Sequence, residues 1–261
     1  MIGIFDSGIG GLTVVRAVMD QLPGYDIVYF GDTARTPYGN KSSRTVVDYS
    51  LQNTQFLLDQ GAKLVVMACN TASSVATETV QAQFDLPIYE VITPAVNQSL
   101  AMSKKKAIGV IGTRATISSG IYERKIHEKA PDARVFSNPC PLLVPLVEEG
   151  WLKKPETRMI VKKYLHPLKV RQVDTLILGC THYPLLKSII AHKIGKRVAI
   201  IDSSMALAGE IRDFLNQTPE IDRALSQTGN AEFFVSDITP QFEKTARAVI
   251  KQPISLKHVS L

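Results

Sequence analysis

Short apolar runs alternate with longer amphipathic stretches along the whole chain. The apolar runs predict the strands Ile2–Phe5, Ile27–Phe30, Leu64–Ala68, Ile88–Val91, Ala107–Ile111, Arg134–Ser137, Thr175–Leu178, Val198–Ile201 and Glu232–Val235. The amphipathic stretches predict the helices Leu12–Gln21, Ser43–Gln60, Ala72–Phe84, Pro94–Met102, Gly120–Ala130, Pro155–Val170, Pro184–Ile194, Met205–Asn216 and Thr239–Ile250. This regular alternation is typical of α/β proteins with mainly parallel sheets.

An internal repeat indicates two similar halves. Residues 2–8 (IGIFDSG) resemble residues 108–114 (IGVIGTR), 106 positions later, and a strand followed by Cys and polar residues recurs after 111 positions. We therefore expect two three-layer α/β domains related by pseudo-two-fold symmetry. Residues 1–92 plus 207–261 would form the first domain, and residues 93–206 the second. The active site is expected in the crevice between them, where the carboxyl ends of open parallel sheets bind ligands.

The composition is that of an ordinary globular protein, with 45% hydrophobic and 21% charged residues. No apolar run approaches the roughly 20 residues that cross a bilayer, and the first residues lack the pattern of a secretory signal. We therefore expect a cytoplasmic location and no membrane partner. The three cysteines have neither a disulfide-framework pattern nor zinc-ligand spacing, so free thiols and no metal are expected.

The net charge of +6 raises the question of a nucleic-acid partner. We interpret the lysines and arginines as mostly dispersed, with one tight run at Lys104–Lys106 that is typical of a solvated loop. Nucleic acid is therefore not an expected partner. A modest positive field would still attract a small dianionic substrate.

Two cysteines occupy matching positions in the two halves. Cys69 follows the strand Leu64–Ala68, Cys180 follows the strand Thr175–Leu178 and Gly179, and each precedes polar residues that open a helix. Free N–H groups at a helix start stabilise a thiolate and lower a thiol pKa. Two such thiols in one cleft could remove a proton from one face of a carbon and deliver one to the other, which is racemisation. The alternative for either cysteine is a small buried core residue, and we expect this for Cys140, which has proline on both sides.

Other polar residues could assist the two thiols. Asp6 and Ser7 follow the first strand, where Asp6 could hold a thiol proton, orient a substrate ammonium group, or simply cap the next helix. His182 is a candidate partner for Cys180, because imidazole can accept or stabilise its proton. Glu148 and Glu149 end an apolar run, and one of them could be a buried carboxylate near the second thiol.

The loop of residues 31–40 is a further candidate, in which Tyr38 and Gly39 could present a hydroxyl and an N–H group to a carboxylate. The segment Gly8–Gly11 does not fit a dinucleotide-binding fingerprint, because Thr13 replaces the third glycine and Asp6 would repel a pyrophosphate. No phosphate-binding loop is present, and no lysine has a convincing context for pyridoxal phosphate. We expect no cofactor.

Five motifs in order resemble the bacterial glutamate racemases of the aspartate/glutamate racemase superfamily. They are residues 3–12 (GIFDSGIGGL), 29–39 (YFGDTARTPYG), 68–73 (ACNTAS), 144–150 (VPLVEEG) and 178–185 (LGCTHYPL), and the tail at residues 233–237 is also similar. The resemblance covers essentially the whole chain. It implies a cofactor-independent interconversion of L- and D-glutamate that supplies peptidoglycan synthesis, and a homodimer.

The resemblance also implies roles for individual residues. Cys69 would remove the α-proton of D-glutamate and Cys180 that of L-glutamate. The assisting catalytic residues would be Asp6, His182 and Glu149, with Glu148 as the alternative to Glu149. The substrate-binding residues would be Asp6, Ser7, Tyr38, Gly39, Asn70, Thr71, Thr181 and His182.

The sequence alone is compatible with two other functions. The chain could be a relative that acts on another substrate, such as aspartate or a substituted malonate. It could also be a non-catalytic amino-acid-binding or regulatory protein, although such a protein would not need paired thiols with acid and imidazole neighbours.

Overall fold

The computed structural model describes residues 1–260. Its strands are β1 Ile2–Asp6, β2 Ile27–Gly31, β3 Leu64–Met67, β4 Ile88–Glu90, β5 Ala107–Gly112, β6 Arg134–Pro139, β7 Thr175–Gly179, β8 Ala199–Asp202, β9 Ala231–Val235 and β10 Leu256–His258. Its helices are α1 Gly11–Gln21, α2 Ser43–Asp59, α3 Asn70–Val75, α4 Thr77–Gln83, α5 Ile92–Met102, α6 Arg114–Ser118, α7 Ile121–Lys129, α8 Leu143–Glu148, α9 Pro155–Val170, α10 Lys187–Ile194, α11 Ser203–Gln217, α12 Pro219–Ala224 and α13 Pro240–Ile250. Short 3₁₀ helices span Thr33–Arg35, Tyr38–Asn40 and Tyr183–Leu186.

The strands form two parallel sheets, which confirms the predicted α/β class. The six-stranded sheet has the order β10-β9-β2-β1-β3-β4 and the four-stranded sheet the order β6-β5-β7-β8. Strand β9 pairs with β2, so the end of the chain returns to the first sheet. The predicted domain boundaries at residues 92/93 and 206/207 fall in α5 and α11 and stay predictions.

The central strands are buried, which is expected for parallel sheets that helices cover on both faces. Every residue of β1, β5 and β7 is buried, as expected for strands with helices on either side. Gly3 allows α2 and the turn after it to approach the sheet closely, because a Cβ at this position would lie 3.2 Å from the Cβ of Leu57 and 2.7 Å from that of Ala62. The first sheet is thereby held against its helical layer.

One apolar core extends across both sheets. It contains Ile4 and Leu12 of the first sheet and its helix α1, Val110 and Ile177 of the second sheet, and Leu207 of α11 between them. Helix α11 packs against both α1 and α5. A large apolar contact of this kind limits how far two domains can move against each other.

The predicted helix Ala72–Phe84 is wrong in one respect, because the structure divides it at Ala76 into α3 and α4. The hydroxyls of Ser73, Ser74 and Thr77 donate to the backbone carbonyls of Met67, Thr71 and Ser73. Such bonds compete with regular helical hydrogen bonding. Helices α6, α8 and α12 and strand β10 are further elements that the sequence pattern did not predict. Within residues 1–260, no helix has the length and apolar character needed to cross a membrane.

Candidate active site

Cys69 and Cys180 line the same cavity between the two sheets. Each lies just beyond the carboxyl end of a central strand, β3 or β7, and each is 5% exposed. The cavity encloses about 310 Å³. Its lining residues are Ser7, Thr36, Pro37, Tyr38, Gly39, Cys69, Asn70, Thr71, Thr113, Val144, Cys180, Thr181 and His182. The structure therefore brings together all the predicted site residues except Asp6 and Glu149.

Cys69 is held as a protonated thiol. It is the residue before α3, and its Sγ lies 3.6 Å from Ser7 Oγ. Burial raises the pKa of the Cys69 thiol to about 12, and the charge of Asp6 adds to this effect. The N–H of Ala72 and the hydroxyl of Ser7 oppose the rise in pKa without overcoming it. The predicted lowering of this thiol pKa is therefore wrong for Cys69, because burial outweighs the start of the helix.

Asp6 lies behind the cavity wall and joins the two halves of the site. Its Oδ2 accepts hydrogen bonds from the N–H groups of Gly8 and Gly11, each at 2.9 Å, and its Oδ1 accepts one from Thr181 Oγ1 at 3.3 Å. Burial raises the pKa of the Asp6 carboxyl, while His182 and these donors oppose the rise. Asp6 thus fixes the loop after β1 against the loop that carries Cys180. Its part in proton transfer or substrate binding stays a prediction.

The Cys180 thiol has a different environment, because it contacts His182, which in turn contacts Glu148. Its Sγ lies 3.7 Å from Nδ1 of His182, and Nε2 of His182 lies 3.2 Å from Oε1 of Glu148. Burial lowers the pKa of His182, but the hydrogen bonds to Cys180 and Glu148 outweigh burial and raise it to about 10. His182 is thus an imidazolium at neutral pH, with its two ring nitrogens facing Cys180 and Glu148.

The acid in contact with His182 is Glu148 rather than Glu149, and this favours Glu148 as the auxiliary acid, a role that stays a prediction. Glu148 is the last residue of α8 and its side chain is 33% exposed, whereas Glu149 is the exposed residue after the helix. Successive residues of a helix point about 100° apart, so only one of two adjacent acids can face His182. That acid is Glu148.

The Tyr38 hydroxyl is held by hydrogen bonds to other side chains. It donates to Oδ2 of Asp32 and accepts a hydrogen bond from Nδ2 of Asn53 at 3.0 Å. It is therefore committed to a buried network with the Asp32 carboxylate, and its expected contact with a substrate carboxylate stays a prediction. Tyr38 and Gly39 still line the cavity. A Cβ on Gly39 would lie 2.8 Å from the Cβ of Thr113, so glycine allows this loop to approach the second domain.

Two polar atoms in the cavity wall have no hydrogen-bond partner within residues 1–260. They are the buried Nδ2 of Asn70 and Oγ1 of Thr36. The other side of the Asn70 amide is held, because the Tyr122 hydroxyl donates to its Oδ1 at 2.6 Å. Buried polar groups are normally paired, so unpaired groups that line a cavity are suited to bind a polar ligand.

Sequence reasoning missed Thr36, Thr113 and Tyr122 as residues of this site. Thr113 had a signal, because the internal repeat aligns it with Ser7 at the offset of 106. Its hydroxyl lies 3.1 Å from that of Thr71, so it joins the second domain to the start of α3. Thr36 and Tyr122 had no comparable signal.

The chain is similar to known proteins over its whole length. The family model described as Asp/Glu/Hydantoin racemase matches residues 13–211. The chain belongs to the Asp/Glu/hydantoin racemase family. It is 47% identical over 260 residues to the glutamate racemase of Persephonella marina, covering 100% of this chain and 97% of that protein.

Solved structures of racemases from this family superpose closely on the chain. The isoform RacE1 of Bacillus anthracis matches with a TM-score of 0.94 and 37% identity, over 100% of this chain and 97% of that one. The enzyme of Francisella tularensis, solved in complex with D-glutamate, matches with a TM-score of 0.90 and 38% identity, over 99% and 97% of the two chains. These matches confirm the resemblance to glutamate racemases and the two similar domains. The protein is therefore an amino-acid racemase, an isomerase.

Proposed function

We propose that this racemase interconverts L- and D-glutamate by a two-base proton transfer at Cα, with Cys69 and Cys180 as the two bases and with no cofactor. The observation that carries the proposal is the position of the two thiols, which line one small cavity from equivalent strand ends. Polar side chains from both halves of the chain, among them Ser7, Asn70 and Thr181, line this cavity and suit a small amino acid.

The unequal surroundings of the thiols assign their resting roles. Cys69 is protonated and next to Asp6, so it is ready to donate a proton. Cys180 lies 3.7 Å from Nδ1 of His182, which can take up or release a proton as Cys180 accepts or donates one. With L-glutamate, Cys180 removes the α-proton and Cys69 delivers a proton to the opposite face. After this step Cys69 has given up its proton and Cys180 carries one, and in this state the enzyme acts on D-glutamate. Cys69 then removes the α-proton, and Cys180, beside the Glu148–His182 pair, delivers its proton to the opposite face.

Hydrogen-bond donors around the cavity would hold the substrate carboxylates. Nδ2 of Asn70 and Oγ1 of Thr36 are available, and the hydroxyls of Ser7, Thr71 and Thr181 lie near them. Donors placed before the reaction stabilise the negative charge that develops when the α-proton leaves. Substrate would also replace water around the thiols, which strengthens these electrostatic interactions.

The proposal includes the cellular role and state of the enzyme. D-Glutamate would be supplied to peptidoglycan synthesis in the cytoplasm, and the protein would be a homodimer. The resemblance to glutamate racemases supports these points. Sedimentation equilibrium of the purified chain would test the dimer.

Proton NMR in D₂O tests the reaction itself. Purified protein with L-glutamate and no added cofactor should remove the α-proton signal and, in parallel, the circular dichroism of the amino acid. D-Glutamate should behave in the same way. Exchange with aspartate but not with glutamate would reject the proposed substrate, and exchange with neither would reject the proposed reaction.

A further inference from the structure

The charge of this protein is concentrated in one part of the second domain. Residues 153–197 contain 11 of the 30 lysines and arginines but only two of the 24 acidic residues, Glu156 and Asp174. This segment therefore carries +9 and the remainder of the chain −3. Within residues 1–260, only Lys187 of these 11 cations has a carboxylate within ion-pair distance, at Asp202.

Folding places many of these cations on the outer face of α9 and α10. Arg158, Lys162, His166 and Lys169 recur at helical spacing and are exposed. They border two adjoining depressions of about 1050 and 610 Å³, which share His192 and Lys193 of α10. No acidic residue lines either depression. The face is therefore suited to bind negatively charged groups.

The same helix carries exposed apolar side chains, which is a second and independent observation. Met159 is 66% exposed and Val170 is 65% exposed, more than any other large apolar residue described. Both lie on the solvent side of α9 beside Lys162, Lys163 and Lys169. Cations mixed with apolar tips on one helix face are typical of a surface that contacts lipid headgroups and the outer acyl chains.

The position of this face leaves the active site accessible. Helices α9 and α10 pack on the second sheet, in a core whose residues all lie between 111 and 200. The depressions between them share no residue with the cavity of Cys69 and Cys180. A second copy of the chain is a poor occupant, because it would bring like charges together.

We propose that the outer face of α9 and α10 binds the surface of anionic phospholipid membranes. The basic residues attract the lipid phosphates, and Met159 and Val170 enter the headgroup region. This departs from the sequence-based expectation of no membrane partner, which rested on the absence of a long apolar run. Binding of this kind weakens as salt is added, because the charges are exposed.

Flotation of the full-length protein with lipid vesicles tests the proposal. The protein should float with mixed phosphatidylglycerol–phosphatidylcholine vesicles at low salt, and much less with phosphatidylcholine alone. Each lysine near an anionic surface contributes about fivefold in affinity, so Lys162→Gln with Lys169→Gln should weaken binding about 25-fold. Met159→Ser with Val170→Ser should also weaken it, but should leave the salt dependence unchanged.

The control variant removes the same charge elsewhere. Lys63→Gln with Arg223→Gln changes two exposed cations, one before β3 and one in α12, and should leave vesicle binding within about twofold, because neither lies on α9 or α10. Equal losses of vesicle binding in the Lys162/Lys169 variant and in this control variant would overturn the proposal. Equal binding of the unmodified protein to charged and uncharged vesicles would overturn it as well. Binding of duplex DNA through Lys162 and Lys169, without vesicle binding, would assign the face to nucleic acid instead. Racemisation measured without vesicles verifies that each variant is folded.

Discussion

The hydroxyl of Tyr122 donates a hydrogen bond to Oδ1 of Asn70 at 2.6 Å, between two buried residues that lie 52 positions apart. Tyr122 belongs to α7, beside the second sheet, and Asn70 is the first residue of α3, next to Cys69. A tyrosine hydroxyl that donates to the amide oxygen turns the amide NH₂ group towards the cavity. One residue of the second domain thus orients an amide of the first, which we propose binds the substrate.

Replacing this tyrosine tests whether the orientation matters. Tyr122→Phe removes the donor and leaves the Asn70 amide free to turn. We expect KM for glutamate to rise about tenfold, because the net value of such a hydrogen bond is about 1 kcal/mol or somewhat more. Steady-state kinetics would measure KM and kcat separately. In an Asn70→Ala background the same change should have little further effect.

Tyr25→Phe is the control for this variant. The Tyr25 hydroxyl bonds to Asp222, and neither residue lines the cavity. This variant should keep the KM of the unmodified enzyme. Equal effects of the two tyrosine variants on KM would show that a general loss of stability, and not the Asn70 amide, is responsible.

The neighbouring acids Glu148 and Glu149 form a natural pair for comparison. Glu148→Gln removes the carboxylate that contacts His182 and should lower kcat with L-glutamate about 100-fold, at the lower limit for loss of an acid–base partner. Glu149→Gln changes an exposed side chain and should lower kcat less than about threefold. The reverse order of effects would restore Glu149 as the auxiliary acid.

The raised pKa of His182, about 10, predicts how stability depends on pH. The folded protein holds this proton more tightly than the unfolded chain, whose histidine has a pKa near 6.5. The contribution to stability is therefore complete below pH 6.5 and is lost as pH rises towards 10. Urea unfolding between pH 6.5 and 9 should show a falling free energy of unfolding, and His182→Asn should flatten this slope. A slope that is unchanged in His182→Asn would contradict the conclusion that folding raises the pKa of His182.

Tyr38 provides a test of the network behind the site. Tyr38→Phe removes a hydroxyl that bonds to Asp32 and Asn53 rather than to the cavity. The free energy of unfolding should fall by about 1–3 kcal/mol, because buried polar groups lose their partner. KM should stay within about twofold of that of the unmodified enzyme. A tenfold rise in KM without a loss of stability would place the hydroxyl against the substrate.

The sequence was sufficient to predict the parts of the site that depend on local pattern. Cys69 and Cys180 could be placed at strand ends because apolar runs stop directly before them. Parallel sheets then bring such ends to one crevice. The place of Thr113 in the site could also be predicted from the sequence, since the repeat aligns it with Ser7.

Other features depend on packing between distant segments and could not be read from the sequence. The choice between Glu148 and Glu149 depends on the rotation of α8, a helix that the apolar run did not reveal. The raised pKa of Cys69 comes from burial and from Asp6, which together overcome the start of α3. Asn70 and Tyr122 meet only because two domains pack together.

Racemisation by single-cysteine variants tests the two-base mechanism most directly. Cys69→Ser and Cys180→Ser should each lower kcat for racemisation by at least about 1,000-fold in both directions, because a serine hydroxyl is a far weaker acid than a thiol and does not ionise near neutral pH to act as the base. Cys140→Ser is the matched control, since Cys140 is buried in the core of the second domain away from the cavity, and it should retain kcat. Substantial racemisation by either Cys69→Ser or Cys180→Ser would contradict the mechanism.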